Sequence, residues 1–156
     1  MDLTAVHGVS ASLAQTILLE VGTDMTKFPN EKHFCSWLGL APHNGISGGR
    51  VLYSHVLKNH NRAGQAFRLA AQAVSRGKTV YSEFYRRVRA RAGAKEAIVA
   101  TAHKIARTFY FMLKHRQPFN QPDLQTYLQQ QQEKEIQRLK AKAAKLGFSL
   151  SPAEAT

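Results

Sequence analysis

A chain of 156 residues with 44% apolar content is long enough to bury one hydrophobic core but not two, and too apolar for general disorder. Its net charge of +12 is concentrated: residues 1–40 carry −2, residues 41–116 carry +13 and residues 117–156 carry +1, which suits a polyanionic partner. Without a run of ~18 uninterrupted apolar residues, a signal-peptide pattern or a lipidation motif, no membrane partner is expected and cytoplasm is the expected compartment.

The first predicted helix is capped by Ser10, carries Leu13, Ala14, Ile17, Leu18 and Val21 at helical spacing and ends at Gly22. A polar turn, Thr23 to Pro29, leads to Asn30, the cap of a shorter helix. Its expected buried face is Phe34, Trp37 and Leu38, and it stops near Gly39. The only cysteine, Cys35, lies in this apolar run and reads as a core thiol, which rules out an internal disulfide. Residues 39–50 hold four of the ten glycines and read as a loop that brings backbone close to something. Residues 51–57 read as a short strand or extended segment.

From about Asn61 the pattern is helical again, with Ala63, Phe67, Ala70, Ala71 and Val74 on one face and Gly77 at the close. A further helix, about Thr79 to Ala92, has Val80, Phe84 and Val88 inside. Arg86, Arg87, Arg89 and Arg91 gather near its C-terminal end, in part to complement the helix dipole. After Gly93 a long helix carries Ala97, Ile98, Ala102, Ile105, Phe109, Met112 and Leu113; Pro118 and Pro122 punctuate. The last helical segment, about 123–146, places Ile136, Leu139, Ala143 and Leu146 at coiled-coil spacing over two heptads. The expected fold is all-α, mainly helical: a helix-hairpin-helix-like N-terminal part, a helical bundle and a long C-terminal helix. Residues 1–117 form the expected nucleic-acid-binding domain, and residues 118–156 a helical tail suited to homo-oligomerisation.

Four segments carry candidate chemistry. His7-Gly8-Val9-Ser10 looks like the second half of a helix-hairpin-helix, in which Gly8 and the amides after Ser10 approach a phosphate; an ordinary capped helix reads the same residues equally well. In the hairpin reading the first helix precedes Met1, so the chain is expected to begin within a motif. Ser47-Gly48-Gly49-Arg50 combines a sparsely covered hydroxyl, two glycines whose N–H groups converge on an anion, and a guanidinium fork that fits a phosphate. There Ser47 reads as an in-line nucleophile on a phosphodiester or, more plainly, as part of a flexible turn. Lys58, Asn61 and Arg62 at a helix start, with Arg68 farther along, suit phosphate contact or a solvated helix end. Tyr53, Tyr81 and Tyr85 are alternative nucleophiles, or core and stacking residues. Seven scattered histidines show no pairing with a cysteine at zinc-ligand spacing, so no metal site is expected in this chain.

In order, these pieces resemble the C-terminal transposase domain of the DEDD-type insertion-sequence transposases, the family that includes the Piv-type DNA invertases. The resemblance rests on Leu18-Leu19-Glu20-Val21-Gly22; on Phe34 followed by Leu38-Gly39-Leu40-Ala41-Pro42; on Ser47 to Arg50; on Val56 to Arg68 in part; and on Gly93-Ala94-Lys95-Glu96-Ala97-Ile98-Val99-Ala100 with Lys104. It covers about residues 1–115. The family's Gly-Asn is His60-Asn61 here, and Ser54 replaces the glycine two residues before Val56.

The resemblance implies a C-terminal fragment of a DNA transposase or site-specific recombinase. Ser47 would be the catalytic nucleophile, forming a phosphoserine bond with DNA. Gly8, Ser10, Gly48, Gly49, Arg50, Lys58, Asn61, Arg62 and Arg68 would contact nucleic acid. A separate RuvC-like N-terminal domain would hold Mg²⁺ on acidic residues, and a structured RNA guides some members. Residues 41–116 contain only Glu83 and Glu96 as carboxylates, so this chain is not expected to cut DNA alone. The competing expectation is a non-catalytic helical nucleic-acid-binding module.

Overall fold

Six α-helices and one two-stranded antiparallel sheet make up most of the regular structure in the computed structural model, which describes residues 2–56, 61–121 and 123–152. The mainly helical expectation holds. The chain divides into two units, Met1–Asn120 and Gln121–Thr156.

Side-chain caps explain where the helices of the first unit begin. Ser10 Oγ accepts from the Leu13 N–H at 3.3 Å at the start of α1 (Ala11–Val21), which ends at Gly22 with φ of 74°. Asn30 Oδ1 accepts from the Lys32 and His33 N–H groups at 3.0 and 3.1 Å and opens α2 (Glu31–Trp37). Asn61 caps α3 (Arg62–Val74) by accepting from the Gly64 N–H at 3.1 Å. At the start of α4 (Val80–Ala92), Thr79 and Ser82 form a reciprocal capping box, and Ser82 Oγ also donates to the Val74 carbonyl at 2.7 Å. Gly93 separates α4 from α5 (Ala94–His115).

The core gathers α1, α2, α3 and α5 around fully buried aromatic rings. Phe67 meets Phe34 and Phe109 edge-on, with centroids 6.4 and 5.4 Å apart, and Phe34 also lies 5.7 Å from Tyr110. Four of the five alanines of α3 (63, 66, 70 and 71) are buried; their small side chains let α1 and α5 close on this helix. Cys35 is buried, as expected of a core thiol. Trp37 departs from the expected face of α2: it is 40% exposed, and its ring lies at the rim against Phe28 at 5.4 Å. Position 37 falls in the last turn of a seven-residue helix, where the chain already turns away, and Leu38 takes the interior place. Phe84, expected inside, is half-buried between α4 and Lys104 of α5.

The principal correction concerns residues 39–50. Much of the expected glycine loop is a strand, β1 (Pro42–Ser47), which pairs with β2 (Arg50–Val56). Gly48 and Gly49 form the two-residue connection, with φ of +56° and +74°. Positive φ at both central positions is the requirement of a type I′ turn, whose twist matches that of paired strands. Between Gly45↔Tyr53 and Ile46↔Val51 the register shifts, leaving Leu52 as an extra residue in a bulge. The Tyr53 ring covers Gly45 so closely that a Cβ there would strike it, replacing the side-chain contact that glycine cannot make in a strand.

In the second unit, Asp123 caps α6 (Leu124–Lys145). Ile136 and Leu139 on it and Leu146 at its C-cap are exposed at 39%, 42% and 66%. No helix among the described residues is long and apolar enough to cross a membrane.

Candidate nucleic-acid interface

The Ser-Gly-Gly-Arg segment forms the end of the hairpin. Ser47 and Arg50 are cross-strand partners and flank the two glycines; all four residues are exposed. A Cβ built on Gly48 or Gly49 meets nothing within 4 Å, so these glycines are required for their backbone angles and not for space. Partners across an antiparallel pair share a face, as do residues two apart on one strand. Ser47 and Arg50 therefore share a face with Gly45 and the Tyr53 ring that covers it. That face carries a hydroxyl, a guanidinium and an aromatic ring together. The strands pack mainly on each other, and Ile46, Leu52 and Tyr53 are 65%, 68% and 54% exposed.

The base of the hairpin is tied to the core by α3. An Arg68 Nη donates to the Gly39 carbonyl at 2.7 Å. A Cβ on Gly64 would overlap the Leu38 carbonyl oxygen, so α3 presses directly on the segment leaving α2. Leu40, next along, is buried. Three residues before β1 are thus held by packing and a charge-assisted hydrogen bond. Arg68, expected as a nucleic-acid contact, has a guanidinium that anchors the launch point of the hairpin. Gly64 was not among the sequence candidates, because nothing local distinguishes a helix glycine pressed on a carbonyl from any other.

The remaining described candidates fall into two groups at opposite ends of α1 and α3. Gly8 has φ of +87°, and a Cβ there would come within 2.5 Å of the Ala70 carbonyl oxygen and Val74 Cγ1. Its open side is occupied by α3. Ser10 is exposed at the start of α1, its hydroxyl serving as the cap and lying 3.0 Å from Ser12 Oγ. Asn61 and Arg62 sit at the opposite end of this antiparallel helix pair. There Arg62, 83% exposed, faces Glu20 of α1 at 3.8 Å, a separation that contributes little at the surface. From Arg62 to Ala70 the helix rises roughly 12 Å, so Gly8 and Ser10 are one group and Asn61 and Arg62 another. Lys58 lies outside the described residues.

Burial separates the alternative nucleophiles. Tyr81 is 2% exposed, donates to Thr108 Oγ1 at 2.9 Å, and is pushed up to about 12 by burial. Tyr85 is also buried. The Tyr81 phenol cannot reach a strand in solvent, whereas the exposed Tyr53 can. The buried Cys35 thiol, pushed up to about 12 by loss of solvation, belongs to the core. Among the described residues, no three His, Cys, Asp or Glu side chains come together as a metal site.

Cations outside the candidate set also stand out. Arg86, Arg87, Arg89 and Arg91 are all exposed on α4. A helical projection of residues 85–92 places them away from Tyr85 and Val88, a signal that dipole complementarity alone obscures.

Residues 2–86, more than half of the chain, match the family described as Transposase IS116/IS110/IS902. The chain is also similar to an uncharacterised 43.6 kDa protein of insertion element IS110 from Streptomyces coelicolor, at 32% identity over 114 residues. That match covers 72% of this chain and 28% of the relative, so the chain spans little more than a quarter of that relative's length. No solved structure matches.

Proposed function

The chain belongs to the transposase IS116/IS110/IS902 family, and from that premise we propose that its β1–β2 hairpin grips a DNA strand and offers Ser47 as the nucleophile of strand transfer. The observation that carries this reading is the pairing of Ser47 with Arg50 across a two-glycine turn at an exposed hairpin end. In such a turn the Arg50 fork holds non-bridging phosphate oxygens while the hydroxyl lies one strand away, a case of catalysis by positioning and charge neutralisation. Attack by Ser47 Oγ forms a phosphoserine ester and breaks one phosphodiester P–O bond. The hydroxyl proton leaves to a base, and the departing sugar oxygen gains a proton. No described carboxylate lies at the tip to serve as that base. It would come from elsewhere in the assembled enzyme, as would the Mg²⁺-binding acidic residues of the RuvC-like domain that the DEDD and Piv-type resemblance implies. A structured RNA guide belongs to the same proposal, supported here by the charge of residues 41–116.

The test combines this chain with the RuvC-like domain, Mg²⁺ and DNA from an element end, and resolves protein–DNA adducts on a denaturing gel. A covalent adduct that Ser47→Ala abolishes supports the reading. An adduct surviving that substitution transfers the role to Tyr53, the exposed hydroxyl on the same face. DNA binding with no adduct under any condition leaves a non-catalytic binding module.

A further inference from the structure

We propose that the outer face of α4 docks in the major groove of B-form duplex DNA, on a surface separate from the hairpin end; this rests on the reading of the chain as a DNA-handling part of a transposase. α4 packs on α5 and only grazes α3, burying Val80, Tyr81, Ser82, Tyr85 and Val88. At roughly 100° per residue, Arg86, Arg87, Arg89 and Arg91 spread over about 200° of the C-terminal half of the helix, on the side away from Tyr85 and Val88. Arg89 and Arg91 fall at its two edges, Arg86 and Arg87 between them, and Ala90 at the centre.

The charge on this face exceeds what the helix itself can use. A helix C-terminus offers about half a negative charge against four guanidinium groups. Glu83 is the only carboxylate on α4, and Arg86 pairs with it while donating to the Gly77 carbonyl at 2.5 Å. Arg87 lies over the Phe84 ring at 5.5 Å, and Lys104 of α5 covers the same ring at 4.6 Å. Those contacts hold the Arg86 and Arg87 guanidinium groups against the protein itself. Arg89 and Arg91 are exposed and make no ion pair among the described residues.

The shape selects the partner. A helix about 10–12 Å across with its side chains matches a groove ≈ 12 Å wide whose two walls are rows of phosphates. The Arg89 and Arg91 guanidinium groups at the two edges of the helix meet both rows, and the helix body between them covers the groove floor, where guanine N7 lies. An acidic protein surface offers no such parallel rows. The major groove of A-form RNA is too deep and narrow to take the helix.

The test measures anisotropy of the purified chain with a labelled duplex DNA, a duplex RNA of the same sequence and single-stranded DNA across a salt series, together with dimethyl sulfate probing of guanine N7. The wild-type chain is expected to prefer duplex DNA and to protect N7. Arg89→Gln with Arg91→Gln should weaken duplex binding by about 30-fold at 0.15 M salt, lower the salt slope by about 2 and remove the N7 protection, with an unchanged helical circular dichroism spectrum and Tm. Equal binding of duplex RNA, N7 positions that stay reactive in the complex, or a double variant that binds like wild type would each overturn the inference. The adduct assay with Ser47→Ala reads the hairpin independently: an adduct that forms while the α4 variant binds normally sinks this inference alone, and no binding of any DNA sinks both.

Discussion

Replacing both turn glycines with alanine tests whether the hairpin end works as a folded unit. Gly48 and Gly49 hold φ of +56° and +74°, and an added Cβ meets no atom at either position. The cost is therefore backbone strain alone, about 1–2 kcal/mol for each alanine in the left-handed region. Together these give roughly 2–4 kcal/mol against the turn, at least a 30-fold shift at 1.4 kcal/mol per tenfold. A two-stranded hairpin is marginal by itself, and its strands pack mainly on each other, so most molecules would lose the pairing of Ser47 with Arg50. The helical core shares none of that strain. Expected results are a Tm within about 2 °C of wild type and a rate of serine–DNA adduct formation reduced at least 30-fold. Gly48→Asn, which accepts the left-handed conformation and recreates the Asn-Gly type I′ sequence, should react nearly as wild type. An Ala-Ala variant with wild-type adduct rates would refute the link between turn geometry and chemistry, and a large fall in Tm would refute the mechanical independence of the hairpin.

Three further outcomes follow from the same geometry. Phe67→Ala removes the ring at the centre of the aromatic cluster and should destabilise the chain by about 3–5 kcal/mol, read as a lowered urea midpoint. Burial, with Arg107 adding to it and Glu31 opposing, holds the His103 imidazole below its ordinary value. The unfolded chain therefore takes up the proton first, so the contribution is intact above about pH 6.5 and is lost as pH falls below that value; the urea midpoint should drop between pH 7.5 and pH 5, and His103→Gln should flatten the drop. Contact with roughly six phosphates gives a slope of log affinity on log salt of about −5, and a slope near zero in a salt titration would dismiss the basic block as the interface.

The helices were legible because their ends are written locally. Ser10, Asn30, Asn61 and Thr79 each supply a side-chain oxygen to an N–H two or three residues ahead, a relation that needs no tertiary information. The apolar face of α3 follows from spacing for the same reason. The strand over residues 42–47 was not legible. Pro42, Asn44 and Gly45 all disfavour strands, and what offsets them is non-local: pairing with residues 50–56, and a Tyr53 ring lying over Gly45. Trp37 failed differently, since helical spacing ranks the faces of a helix but does not say where its last turn leaves the core.

The surroundings of the site candidates were not legible in the sequence, for a reason rooted in what glycine and arginine do. A glycine that admits a phosphate and a glycine that admits another stretch of backbone satisfy the same steric condition, the absence of a Cβ. Gly8 and Gly64 meet that condition against Ala70 and Leu38, whereas Gly48 and Gly49 meet it against open space. An arginine fork likewise suits a phosphate or a carbonyl, and Arg68 spends one arm on Gly39 while Arg50 stands exposed at the tip. The residues that hold the hairpin and those that would touch DNA are therefore drawn from the same chemical types. Only their surroundings divide them, so Arg68→Lys should disturb the hairpin first and phosphate contact only as a consequence.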